Sequence, residues 1–303
     1  MKLHLFGAST PSGEALLQSA ATCFPGWTVA VYSRKSHGSF PDCHRADFCD
    51  PSGFCPAGPS DCPGLWISFA PIWLLAPFLE QLANHYPERV RGLRGVVACS
   101  SSSAFTKRFA SNRFDRQLVK RLVNAEQQLL ATCSRLQVPC RIIRPTLIYG
   151  QVGPYGDQNL SRLLALLRRL PLLPLPAETG LRQPIHASQL AAVALQMAKQ
   201  VVNNSWDPVQ PECIEVGGDT ELSYTDMLRA LQQSLPQHDS ARRCRLLPVP
   251  NRLFFLVAAP LLIRSPKAFE AVLRMGVDLS GFTTAHQHLG ELPQPFPVMP
   301  LAC

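Results

Sequence analysis

The chain has 303 residues, 46% hydrophobic and 17% charged, with 28 prolines, 11 cysteines and a formal net charge of +8. That is globular composition with ample material for a core, and it excludes collagenous, broadly disordered and small disulfide-framework classes. The positive charge suits phosphate-bearing ligands or an anionic surface. The basic residues are scattered, however, with pairs such as Arg168/Arg169 and Arg242/Arg243, and no nucleic-acid-binding module accompanies them.

Leu3–Phe6 reads as a short buried strand, Gly7–Gly13 as a turn and Glu14–Cys23 as a helix. Trp27–Tyr32 predicts a second strand, ending in Ser33-Arg34-Lys35. Cys43, Cys49, Cys55 and Cys62 follow at spacings untypical of a tetrahedral zinc site, so reduced thiols and no metal are expected. Leu65–Ala70 is a strand, Leu74–His85 a helix, and Gly95–Ser100 a strand entering a run of four serines. Asp115–Leu136 is a long helix and Cys140–Pro145 a further strand.

Short apolar strands alternating with helices imply an α/β fold, a parallel sheet covered on both faces and doubly wound in the Rossmann manner. Residues 1–150 are expected to form the dinucleotide-binding core, and 151–303 to complete the sheet and build a smaller, mostly helical substrate lobe. In that second half Leu160–Leu170 is a basic amphipathic helix, Pro171–Pro176 a proline-leucine loop and Ser188–Val201 a helix. Leu253–Ile263 is the most apolar stretch, broken by Pro260 and flanked by Arg252 and Arg264. It is too short to span a bilayer, and reads as a core or interface helix or as a membrane-surface element. With neither a transmembrane segment nor a signal-like apolar run at the start, a cytoplasmic location is expected.

Gly7-x-x-Thr10-x-x-Gly13 lies between a strand and a helix, where backbone N–H groups and the helix N-terminus receive a pyrophosphate. Gly7, Ser9, Thr10, Pro11 and Gly13 are therefore candidate cofactor residues. Thr10 replaces the middle glycine, so its side chain either crowds the phosphate or contacts it. Gly13 is read as holding the backbone near the pyrophosphate, so Gly13→Val should abolish binding and leave the fold intact. Ser33 and Arg34, with no acidic residue beside them, suit the 2′-phosphate of NADP over the 2′-hydroxyl of NAD. Asp47 and Phe48 are placed to flank the adenine, and Phe69, Ala70 and Pro71 to close the site at the next strand end.

Arg144-Pro145-Thr146-Leu147-Ile148-Tyr149-Gly150 resembles the Arg-Pro-x-x-x-Tyr-Gly segment of the NAD-dependent epimerase/dehydratase family, extended short-chain dehydrogenases acting on nucleotide sugars. Pro184-Ile185-His186-Ala187 is similar to that family's Ile-His-Val segment, and Arg274-Met275 through Asp278-Leu279, Leu289-Gly290 and Pro293-x-Pro295-Phe296 to its C-terminal end. The resemblance implies an NADP or NAD cofactor and a nucleotide-sugar or related carbonyl or hydroxyl substrate, and it allows a homodimer. It also implies that Pro145 touches the cofactor and that Arg144 and Tyr149 touch the substrate.

The departures concern chemistry. The family's Tyr-x-x-x-Lys acid/base pair precedes a glutamate by four residues from the lysine; anchoring on Glu126 puts Leu122 and Leu118 at those positions. Leucine transfers no proton. Ser102 and Ser103 are the candidate catalytic hydroxyls, or simply a turn. Lys107, Lys120 and His186 are the candidate substitute donors, the lysines reading equally as surface groups and His186 as a packed structural one. Ser188-Gln189 stands where acidic residues are usual. Two functions follow: an epimerase/dehydratase-like oxidoreductase with a degenerate or altered site, or a non-catalytic dinucleotide-binding sensor or accessory protein.

Overall fold

The computed structural model describes residues 1–34, 43–57, 64–110, 112–203, 205, 211–260 and 264–298; Lys35 and Cys62 lie outside these. Strands β1 (Lys2–Phe6), β2 (Thr28–Ser33), β3 (Cys43–Arg45), β4 (Gly64–Ser68), β5 (Leu93–Cys99), β6 (Cys140–Pro145), β7 (Cys213–Gly217) and β8 (Thr283–Thr284) form the main sheet. Among the described residues its order is β3-β2-β1-β4-β5-β6-β7-β8, every pairing parallel. Chain order reverses between β1 and β4, the switch point at which doubly wound sheets open a crevice.

Strands in such a sheet are covered on both faces and so are apolar throughout. All five residues of β4 are buried, as are Val96–Ala98 of β5 and Ile142 and Ile143 of β6. Helices α1 (Pro11–Cys23) and α6 (Ala187–Val202) cover one face; Leu16, Leu190, Ala194 and Ala198 meet Leu5, Ile67 and Val97 there. Helices α2 (Ile72–His85) and α4 (Arg113–Arg135) cover the other, joining Leu75, Phe78, Leu79, Leu122 and Leu129 to Trp66, Val96 and Ile142. A single turn, α3 (Ser103–Thr106), separates the serine run from α4. Asn112 caps α4 by accepting the Asp115 N–H at 2.8 Å.

The smaller lobe has its own core, in which Leu160 and Leu167 of α5 (Asn159–Arg169) pack with Met227, Leu228 and Leu231 of α7 (Tyr224–Ser234). The expected loop at Pro171–Pro176 is instead a strand, Leu172–Pro176, paired in parallel with Arg245–Val249. The prolines conceal it in the sequence, yet a two-stranded ribbon has an open side on which Pro174 and Pro176 need no N–H. Helices α8 (Asn251–Ala258), α9 (Pro266–Leu273) and α10 (Ala285–Leu289) follow.

Candidate dinucleotide cleft and the long helix beside it

At the carboxyl ends of β1, β2 and β4 a cleft of about 270 Å³ opens against the start of α1. Gly7, Ser9 and Thr10 line it on one side, Ser33 and Arg34 at the end of β2, and Phe48, Phe69, Ala70 and Pro71 opposite. Phe6, Tyr32, Ala46 and Leu74 also line it and were not anticipated. The signal for Phe6 and Leu74 was available: one ends the first strand, and the other opens the helix after Pro71 in the first turn. Pro11, Gly13, Asp47 and Pro145 are not among the lining residues. Asp47 instead accepts the Cys49 N–H in a tight turn, and Pro145 is buried, its carbonyl accepting the Ser102 N–H at 3.0 Å.

The turn is built by close backbone approach. Gly7 sits at φ +81°, and a Cβ there would lie 2.7 Å from the Ala70 nitrogen, so only glycine suits both the dihedral and the space. Gly13 has a different task from the one expected. A Cβ on it would lie 2.3 Å from the Gly7 carbonyl oxygen and 2.7 Å from the Ala8 Cα. It seats α1 on the turn itself, so a side chain there disturbs the fold as well as the cleft.

Thr10 is the N-cap of α1. Its hydroxyl donates to the Gly7 carbonyl at 2.8 Å and accepts the Gly13 N–H at 3.1 Å, which satisfies the turn internally. Pro11 carries no N–H, and the Glu14 N–H goes to the Thr10 carbonyl. Of the four N–H positions in this first turn, Ser12 alone keeps a donor without a partner among the described residues. The helix end retains its dipole but offers an anion fewer donors than a glycine turn would.

These residues fit the adenosine and phosphate half of a dinucleotide. Phe48, Ala70 and Leu74 supply apolar surface for a base, Ser33 and Arg34 a hydroxyl and an exposed cation at the strand end, and Ser9, Thr10 and Ser12 the helix terminus.

The long helix does not restore the missing chemistry. Leu122 is 1% exposed, within the core shared with α2, and Leu118 packs against the same cluster. Glu126, one turn on, is buried and bonded by Arg144 at 3.0 Å (Nε) and 2.6 Å (Nη2). Arg144 also donates to Glu215 at 3.0 Å, and the Ser100 hydroxyl donates to Glu126 at 2.5 Å. Arg144 is thus a guanidinium clamping α4, β6 and β7 through two carboxylates. Sequence reasoning used Glu126 only as an anchor. A carboxylate on the apolar stripe of Leu122 and Leu129 was the sign that it needed a buried cation.

Tyr149 is likewise 1% exposed. Its hydroxyl accepts the Val298 N–H at 2.9 Å and its ring meets Phe296 and His186 edge-on. Burial pushes its pKa up to about 12, and these contacts pack it against the C-terminal segment.

Ser102 and Ser103 are half-buried, their hydroxyls without hydrogen-bond partners among the described residues, and they lie outside the cleft lining. Lys107 is committed to Asp115 at 2.7 Å, which also meets Arg274 at 3.4 Å. Burial alone would raise the Asp115 pKa, but hydrogen bonds from Lys107 and Asn112 and the charges of Lys107 and Arg274 outweigh it and hold it low. Lys120 is exposed on another side of α4. His186 caps α6, its Nδ1 accepting the Ser188 N–H and meeting the Ser188 hydroxyl at 2.7 Å. Its Nε2 lies against Gly150, where a Cβ would be 2.2 Å away. Burial keeps it neutral by lowering its pKa. None of the three lines the cleft.

Neither a protein-family model nor a curated protein sequence matches the chain. Solved structures do. A nucleoside-diphosphate-sugar epimerase from Staphylococcus aureus superposes with a TM-score of 0.61 at 15% identity, covering 98% of this chain and 99% of that one. The UDP-glucuronic acid 4-epimerase of Bacillus cereus, in complex with NAD, gives 0.62 at 13%, covering 97% and 94%. A human epimerase family protein with NADPH gives 0.61 at 12%, covering 98% and 96%. This chain has the fold of the nucleotide-sugar epimerases. The likeness runs the full length, so the smaller lobe shares it as well as the sheet.

Proposed function

We propose that this chain binds a nicotinamide dinucleotide, NADP(H) in preference to NAD(H), at the ends of β1, β2 and β4, and that it does not carry out tyrosine-lysine proton transfer. The observation that carries the reading is the cleft that brings the Gly7 turn, the exposed Arg34 and the Phe69–Pro71 segment together. When bound, such a cofactor supplies a hydride donor or acceptor. The chain's own part is to hold the adenosine end: Arg34 would pair with a 2′-phosphate, and the start of α1 would face the pyrophosphate.

By analogy with the similar structures, the substrate class is a nucleotide sugar or a related carbonyl or hydroxyl compound. The burial of Leu122 and the commitment of Lys107 and His186 favour a binding, sensing or accessory role over catalysis. The partnerless hydroxyls of Ser102 and Ser103 are what an altered oxidoreductase would use to polarise a substrate oxygen.

Calorimetric titration with NADPH, NADH and 2′,5′-ADP tests the reading. NADPH and 2′,5′-ADP should bind, both more tightly than NADH. Absence of binding by all three would overturn the site. Robust turnover of a UDP-sugar by the wild-type chain would overturn the non-catalytic assignment and leave the cleft intact.

A further inference from the structure

Helix α8 presents its apolar side outward. Leu253, Leu256 and Val257 share one helical face by their spacing and are 51%, 70% and 72% exposed. Phe255 turns the other way, toward Gly276, and no residue of the helix is buried. A surface helix of a globular protein ordinarily shows the opposite arrangement, with its apolar stripe inward. Leu247, on the strand just before, is exposed too.

The charge around this face is mostly positive, with the exposed carboxylate of Glu178 meeting Asn251 at the start of the helix. Residues 241–275 include seven Lys or Arg residues and one acidic residue, Glu270. That carboxylate is itself paired with Arg274 at 3.9 Å. Arg245 and Arg252, which flank the apolar residues along the chain, are exposed.

We propose that this face docks on an anionic lipid bilayer. Leu253, Leu256 and Val257 would enter the boundary between headgroups and acyl chains, with Arg245 and Arg252 pairing lipid phosphates. The helix has eight residues, about 12 Å of length, and no helix among the described residues is long and apolar enough to cross a membrane. It would therefore lie in the plane of the interface, and one short apolar face gives reversible binding. A second copy of the chain is a poorer occupant, because face-to-face packing would oppose two clusters of arginine. Nucleic acid would use the charge but leave three aliphatic side chains with nothing to bury against, since base stacking calls for aromatic rings. An anionic bilayer satisfies both features.

The test is flotation of the full chain with phosphatidylcholine vesicles, plain or containing about one-third phosphatidylglycerol, a negative surface of the kind that draws basic segments. The anionic vesicles should retain about tenfold more protein, and about 0.5 M salt should release most of it by screening. Leu256→Asp combined with Val257→Asp should lower retention about tenfold, with NADPH affinity and thermal midpoint unchanged. Three results would overturn the proposal: no retention on anionic vesicles, equal retention of the double variant, or a dimer that the double variant converts to monomer with no vesicle binding by either. The last would assign the face to self-association. None of these outcomes bears on the nucleotide cleft, which lies on a different part of the chain.

Discussion

At Gly13 the usual argument about a glycine-rich turn divides into two. Gly7 gives the backbone its left-handed dihedral, whereas Gly13 lets the first turn of α1 rest on the Gly7 carbonyl. An added methyl would press on backbone atoms that cannot swing aside, and overpacking of this kind costs about 1–3 kcal/mol. Gly13→Ala should therefore lower the thermal midpoint by several degrees as well as weaken nucleotide binding. An unchanged midpoint with binding lost would return Gly13 to a purely cofactor-facing role. Arg34 gives a cleaner reading, because it is exposed and its loss disturbs no core. A charge-assisted hydrogen bond contributes about 1.5–3 kcal/mol, so Arg34→Ser should weaken NADPH and 2′,5′-ADP roughly 10- to 100-fold and leave NADH nearly unaffected. Equal loss for NADPH and NADH would mean that Arg34 does not read the 2′-phosphate.

Among the elements, α4 shows how far the sequence could be read. Its existence, its length and the leucines at the positions of the missing tyrosine and lysine were all legible, because a 23-residue amphipathic helix declares its period. The partners of its buried polar residues were not legible. Pairing of Glu126 with Arg144 depends on β6 lying beside α4, and pairing of Lys107 with Asp115 on the path of the loop through α3. Neither is encoded by local spacing. The same limit explains β3, β7 and β8: two to five residues each, they carry too little pattern to stand out and are ordered by neighbours already in the sheet. In the cleft, the turn and strand-end residues meet because strand ends in this fold converge on one place, whereas Pro11, Asp47 and Pro145 lie in the same segments without lining it. The depth of Leu122 makes a further prediction. Leu122→Ala should cost about 2–5 kcal/mol as a core truncation, and Leu122→Lys should destabilise at least as much, because the ammonium would be left without a partner. If Leu122→Lys were tolerated and improved cofactor binding, the side chain would have to face the cleft instead of α2. Denaturant midpoints of the two variants decide between these outcomes.

Taken as a whole, the molecule is a sheet that borrows β7 and β8 from its second half, so core and lobe are joined through the sheet as well as across the Lys107–Asp115–Arg274 contact. Its interior also holds neutral histidines in separate places: His4 in β1, His186 at the start of α6 and His288 in α10, each with its pKa lowered chiefly by burial. His4 is the most informative. It is 5% exposed, its Nδ1 meets the Tyr32 hydroxyl at 2.8 Å, and burial, with Lys2 and His44 nearby, brings its pKa down to about 4 from 6.5. Above pH 6.5 the imidazole is neutral folded or unfolded, and its full contribution to stability is present. As pH falls from 6.5 toward 4, the unfolded chain takes up a proton that the folded chain refuses, so stability declines by up to about 1.4 kcal/mol per pH unit. Over that window the loss from His4 reaches about 3 kcal/mol, and His186 and His288 add to it in the same direction. Urea midpoints measured from pH 7.5 to 4.5 should fall in this way, and His4→Asn should reduce the slope by about one proton's worth, whatever it does to stability at neutral pH. A variant with the wild-type slope would show that His4 is protonated in the folded sheet, and that the acid sensitivity of this fold comes from elsewhere.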